Sequence, residues 1–148
     1  ERAAGLLREA TERQPDLATD PDVVQAWVAC LDRNRPARVM EHIVDALGQK
    51  AVPALLAASR SRRYHLRWNS IRVLKRLGEL DAVDMGHAYI QDLRFGGSCS
   101  TRKRAARKLA ELRDDRAVEH LRRAKDRGFL DNLCMGDALD EAIRAIEQ

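Results

Sequence analysis

Residues 67–78 read Arg67-Trp-Asn-Ser-Ile-Arg-Val-Leu-Lys-Arg-Leu-Gly78, and their pattern recurs along the chain. Ser70, Leu74 and Leu77 stand at i, i+4 and i+7, which at 100° per residue puts them on one face of an α-helix. Thirty-five residues later Arg67, Ser70, Ile71, Leu74 and Leu77 return as Arg102, Ala105, Ala106, Leu109 and Leu112. Thirty residues earlier, Met40, Val44 and Leu47 hold the slots of Ser70, Leu74 and Leu77, and Leu139, Ala142, Ile143 and Ile146 fill them near the C-terminus.

Between these helices lie short openings of one kind: Val23-Val24, Ala51-Val52, Ala82-Val83 and Ala117-Val118, spaced by 28, 31 and 35 residues. Spacings of this size mark stacked supersecondary units. Local signals agree. Asp20-Pro21 is an N-cap followed by proline at the first helical position, and Val23, Val24, Trp27, Val28 and Leu31 form one stripe behind it. Pro36 opens a helix carrying Val39, Met40, Ile43, Val44 and Leu47, with Gly48 as its C′ residue. Pro53 falls in a first turn, where its missing N–H costs nothing. Sustained period-2 alternation is absent, so strands are not expected.

Composition points the same way. Aromatic residues are 4% and charged residues 34%, with Ala and Leu supplying most of the apolar 45%; this favours helix over sheet. No apolar stretch approaches the ~20 residues that span a bilayer. The chain opens on Glu1 rather than Met, which suggests an excised segment or a processed product. The net charge of +4 is unevenly spread: residues 59–128 carry 19 basic and 9 acidic side chains, while both flanking segments are net negative. A basic middle invites an acidic partner.

The stretch Gly48-Gln-Lys-Ala-Val-Pro-Ala-Leu-Leu56 followed by Arg67-x-x-Ser-Ile-x-x-Leu-x-x-Leu-Gly78 resembles HEAT repeats, nearest to the bacterial HEAT-like type of phycobilisome-lyase relatives. The resemblance covers residues 22–148 as four helix pairs, with residues 1–13 as an N-terminal capping helix. It implies an all-α fold, a right-handed α–α superhelix in one domain over 1–148, whose stacked pairs share a continuous core. Departures from the repeat are long loops at 94–100 and 127–136 and the loss of the usual Gly at Arg113. Bilin-lyase activity does not follow, because the fold hosts many roles.

Chemistry-bearing residues are sparse. His42, His65, His87 and His120 show no metal or hydrolase spacing, and nucleophile elbows, Walker loops and GxGxxG turns are missing. Asp114-Asp115 reads as helix capping rather than a carboxylate dyad. Neither catalytic nor metal-binding nor cofactor-binding residues are expected. Cys99 and Cys134 occupy equivalent positions on adjacent repeats. Packed helices lie about 8–10 Å apart and a disulfide wants Cα atoms within about 7 Å; the functional reading is a redox pair or a shared metal site, and the expectation is two loop thiols that help pack their loops. Cys30 reads as a small core residue. Three cysteines are too few and too scattered for a disulfide scaffold, so a reducing cytoplasm is the default location.

The outward faces are more informative. Opposite Ser70, Leu74 and Leu77 lie Trp68, Arg72 and Lys75. The matching positions are Arg38, His42 and Asp45 one repeat earlier, Lys103, Arg107 and Ala110 one later, and Asp137, Glu141 and Arg144 on the last. By resemblance these helices line a concave groove. Either the strip is a solvated face with Trp68 folded over a neighbouring helix, or it is a partner site anchored by Trp68. The expectation is a non-catalytic scaffold that binds an acidic or amphipathic segment of another protein, or of the parent chain, through Arg38, His42, Trp68, Arg72, Lys75, Lys103 and Arg107. The alternative is DNA binding through the same groove, with Asp45 as a weakly placed glycosylase acid; the acidic last repeat counts against a long backbone footprint.

Overall fold

The computed structural model describes residues 2–128 and 132–148. Among them the secondary structure is helical throughout, without strands. The chain forms two compact units, Glu1–Val83 and Asp84–Gln148.

The first unit contains α1 (Arg2–Arg13), α2 (Pro21–Ala29), α3 (Ala37–His42), α4 (Val52–Ala58) and α5 (Tyr64–Arg76). Asp20 caps α2 as its sequence requires: Oδ1 accepts from the backbone N–H of Asp22 at 2.8 Å and of Val23 at 3.3 Å. Val24, Trp27, Val28 and Leu31 are buried along the expected stripe. α3 widens into a π turn over Ile43–Leu47, and Gly48 ends it at φ 52°. α4 packs on α2 and α5, and α5 reaches both α2 and the π turn. Leu31, Ile43, Leu55 and Leu74 are fully enclosed there, each worth about 1.5–3 kcal/mol of burial.

In the second unit are α6 (Met85–Phe95), α7 (Cys99–Leu112), α8 (Ala117–Lys125) and α9 (Ala138–Glu147). First helices stack on first and second on second: α6 packs on α7 and α8, and α9 on both α7 and α8. This two-layer order is that of an α–α solenoid. Leu93, Leu109, Leu121, Met135 and Leu139 form its interior.

Several expectations need correction. The Ala82-Val83 opening precedes its helix instead of starting it, because Leu80–Ala82 closes a 3₁₀ turn and Asp84 caps α6 by accepting from His87 N–H at 2.9 Å. The 94–100 loop is short: α6 runs to Phe95 and Ser98 already caps α7. Of the 127–136 loop, residues 129–131 lie outside those described. Leu112 does not fill an inward slot and is 48% exposed. Asp114 caps by its backbone carbonyl, which accepts from Ala117 N–H, while its carboxylate is taken up by Arg116.

The cysteine expectation is overturned. Cys99 and Cys134 form a disulfide, with Cα atoms 6.2 Å apart. The 8–10 Å argument applies to helix axes at mid-length, whereas Cys99 is the first residue of α7 and Cys134 lies on the turn that leads into α9. Chain ends approach more closely than axes do. The bond also counts against the reducing compartment expected from the few, scattered cysteines. No helix among the described residues is long and apolar enough to cross a membrane.

Candidate functional site

Helix α5 presents two faces with different chemistry. Leu66, Ser70, Val73 and Leu74 point into the core, and Tyr64, Trp68, Arg72 and Lys75 run along the other side. Between them sits Asn69, only 2% exposed. Its Nδ2 donates to the carbonyls of Leu31 at 2.8 Å and Arg33 at 2.9 Å. Those acceptors fix which end of the amide is nitrogen, so Oδ1 is left to accept from Arg72 Nη1 at 2.7 Å. One side chain thus ties the α2–α3 loop to α5 and orients an arginine.

The loop and helix border an open surface hollow of about 620 Å³ in the first unit. Arg35, Pro36, Met40, Tyr64, His65 and Arg72 line it. Its floor is partly apolar, from buried Pro36 and half-buried Met40. Arg35 takes the left-handed conformation at φ 55°. Among the described residues, none of Arg33, Arg35, Arg38, Arg72 and Lys75 has a carboxylate within ion-pair distance. The Asp32 carboxylate pairs with Arg63 at 2.7 Å. Among the described residues those five side chains are therefore positive charges without an ion-pair partner, and Tyr64 and Trp68 share the α5 stripe that carries Arg72 and Lys75.

The sequence-derived residues are distributed as follows. Arg72 lines the hollow. Trp68 is half-buried one turn earlier, its ring 6.5 Å from that of Tyr64. Lys75 is exposed one turn beyond Arg72, and Arg38 is exposed on α3. His42 is half-buried and stacks on the core residue Trp27, ring centroids 4.0 Å apart. Burial and then the nearby Arg8 charge lower its pKa, with Asp45 and Glu12 opposing. His42 thus packs as well as presenting a surface. Lys103, half-buried, and Arg107, exposed, are four residues apart on α7 of the second unit. Asp45 is exposed on the π turn.

Sequence reasoning missed Arg35, Tyr64, His65 and Asn69. Tyr64 was within reach, since it extends the Trp68–Arg72 stripe one turn toward the N-terminus. Asn69 was not, because its partners lie 36 and 38 residues away.

The second unit holds a denser polar group of its own. Arg116 donates Nη1 and Nη2 to Asp84 at 2.9 and 2.8 Å, and Nε and Nη2 to Asp114 at 2.9 and 2.8 Å. The hydrogen bond from Arg116 holds the Asp84 carboxyl down at about 2. Gly86 makes room for it: a Cβ there would lie 1.8 Å from an Asp114 oxygen. This network joins the start of α6 to the start of α8 and is structural. Among the described residues, no group of three or more His, Cys, Asp or Glu side chains is placed to hold a metal ion.

Comparison with known proteins adds one match. Residues 101–127 match the family described as PBS lyase HEAT-like repeat. No curated protein and no solved structure matches the chain. The matched stretch runs from the first turn of α7 through α8, the second helix of one pair and the first of the next. Residues 101–127 are therefore similar to a HEAT-like repeat of the PBS lyase type.

Proposed function

We propose that this chain is a non-catalytic interaction module that holds an acidic or amphipathic segment of another protein, or of its own parent chain, on the basic faces of its second helices. A HEAT-like repeat supports the coarse reading, since such repeats serve as protein-binding scaffolds. The observation that carries the finer one is the set of arginines without carboxylate partners beside Tyr64 and Trp68. Large aromatics next to arginines are the usual composition of binding hot spots. Arg38, His42, Trp68, Arg72 and Lys75 serve as contacts in the first unit, and Lys103 and Arg107 in the second.

Affinity capture from a lysate tests the assignment, comparing the wild type with Trp68→Ala/Arg72→Glu and with Lys103→Glu/Arg107→Glu. Loss of a specific co-purifying protein in the first variant, reversible by salt in the wild type, is the expected result. Equal recovery by all three proteins contradicts the site. Recovery of nucleic acid instead of protein would favour the DNA-binding alternative.

A further inference from the structure

We infer that the hollow between the α2–α3 loop and α5 is a seat for an acidic side chain of an extended peptide, with an adjacent leucine-type side chain on the hollow's apolar floor. The inference rests on the interaction-module reading and narrows it to one place and one chemistry.

Charge is the first argument. Arg35 and Arg72 both line the hollow, and neither has a carboxylate partner among the described residues. Arg72 commits Nη1 to Asn69, which fixes the plane of its guanidinium while other N–H groups remain to donate. A guanidinium held in this way loses less freedom when it forks onto a carboxylate. His65 and Tyr64 add polar edges to the same rim.

Shape is the second. About 620 Å³ is far more than one carboxylate needs and falls in the range of sites that hold a ligand of several groups. Pro36 and Met40 give part of that space an apolar lining. An acidic residue followed by an aliphatic one satisfies both halves.

Backbone is the third. Arg35 sits at φ 55°, where a residue with a Cβ is less stable than glycine by about 1–2 kcal/mol. A positive φ alone argues nothing, since Arg113 has one at a helix end. Arg35 differs because the strained position delivers its side chain to the hollow, and strain kept at a ligand clamp is a recurring arrangement.

The test uses a fluorescein-labelled peptide, Gly-Glu-Leu-Glu-Leu-Gly, and its Gln-for-Glu analogue, titrated into the full chain at low salt by anisotropy. The acidic peptide is expected to bind and the amide analogue to bind at least about tenfold more weakly. Arg72→Glu and Arg35→Gly should each weaken the acidic peptide about tenfold, whereas Lys50→Glu, an exposed charge that does not line the hollow, should leave this probe unchanged. Arg35→Gly is also expected to melt at a higher temperature than wild type, so its loss of binding cannot be misfolding. Equal binding of both peptides, unchanged binding in Arg35→Gly and Arg72→Glu, or no binding by the wild type overturns the inference. Loss only in Lys50→Glu overturns the hollow but leaves the interaction module standing.

Discussion

Arg72 Nη1 lies 2.7 Å from Asn69 Oδ1, and this hydrogen bond joins a partner-facing charge to a buried structural amide. The same amide holds two carbonyls of the α2–α3 loop. One residue therefore contacts both the loop and the arginine, beside the Arg63–Asp32 pair that also ties the loop to α5.

Asn69→Ala should cost about 1–3 kcal/mol, because it leaves the Leu31 and Arg33 carbonyls without their donor. Urea denaturation measures the loss. Amide hydrogen exchange over residues 31–36 should rise in the variant more than exchange in α2 or α4 does.

The Cys99–Cys134 bond closes a loop with a sequence separation of 35. Chain-entropy reasoning assigns such a closure about 3–4 kcal/mol. Adding a reductant should lower the melting temperature of the wild type and leave Cys99→Ser/Cys134→Ser unaffected. Thiol titration of the unfolded, unreduced chain should find one free cysteine, Cys30; three would rule the bond out.

Arg113 ends α7 in the left-handed conformation at φ 51°, and Gly78 follows α5 with φ likewise positive at 80°. Arg113→Gly should stabilise the chain by about 1 kcal/mol. Gly78→Ala should destabilise it by a similar amount. Thermal melts of the two variants shifting in the same direction would contradict the assignment.

The Asp84 carboxyl, held at about 2 by Arg116, gives a pH signature. A carboxyl with a depressed folded pKa stabilises above its unfolded pKa, near 4, and loses that contribution as pH falls toward 2. Arg116 is 61% exposed, so screening reduces the effect to about 1 kcal/mol. Asp84→Asn keeps an N-cap oxygen for His87 N–H but should lose stability at neutral pH. Its stability should then fall less than that of wild type between pH 4 and pH 2.

Much of the fold was legible because its signals are local. Asp20-Pro21, Pro36, Gly48 and Pro53 each act within a few residues, and each marks a helix boundary where the sequence put one. Ala82-Val83 misled because the repeat's apolar pair falls in a turn there and the N-cap role passes to Asp84. Leu112 shows the limit of alignment: it occupies Leu77's slot in the repeat yet stays exposed. The disulfide was hidden because an axis-to-axis distance says little about two chain ends. The candidate site was half visible. Periodicity finds Trp68, Arg72 and Lys75 on one stripe, but the hollow forms where Asn69 and the Arg63–Asp32 pair hold a distant loop against α5.

Hydrogen–deuterium exchange of the chain, alone and with its captured partner, tests the account most directly. The prediction is that partner binding protects residues 31–37 and 64–76 above all other segments, and that Arg72→Glu abolishes this protection. Protection that spares both segments, or that persists unchanged in Arg72→Glu, would contradict it.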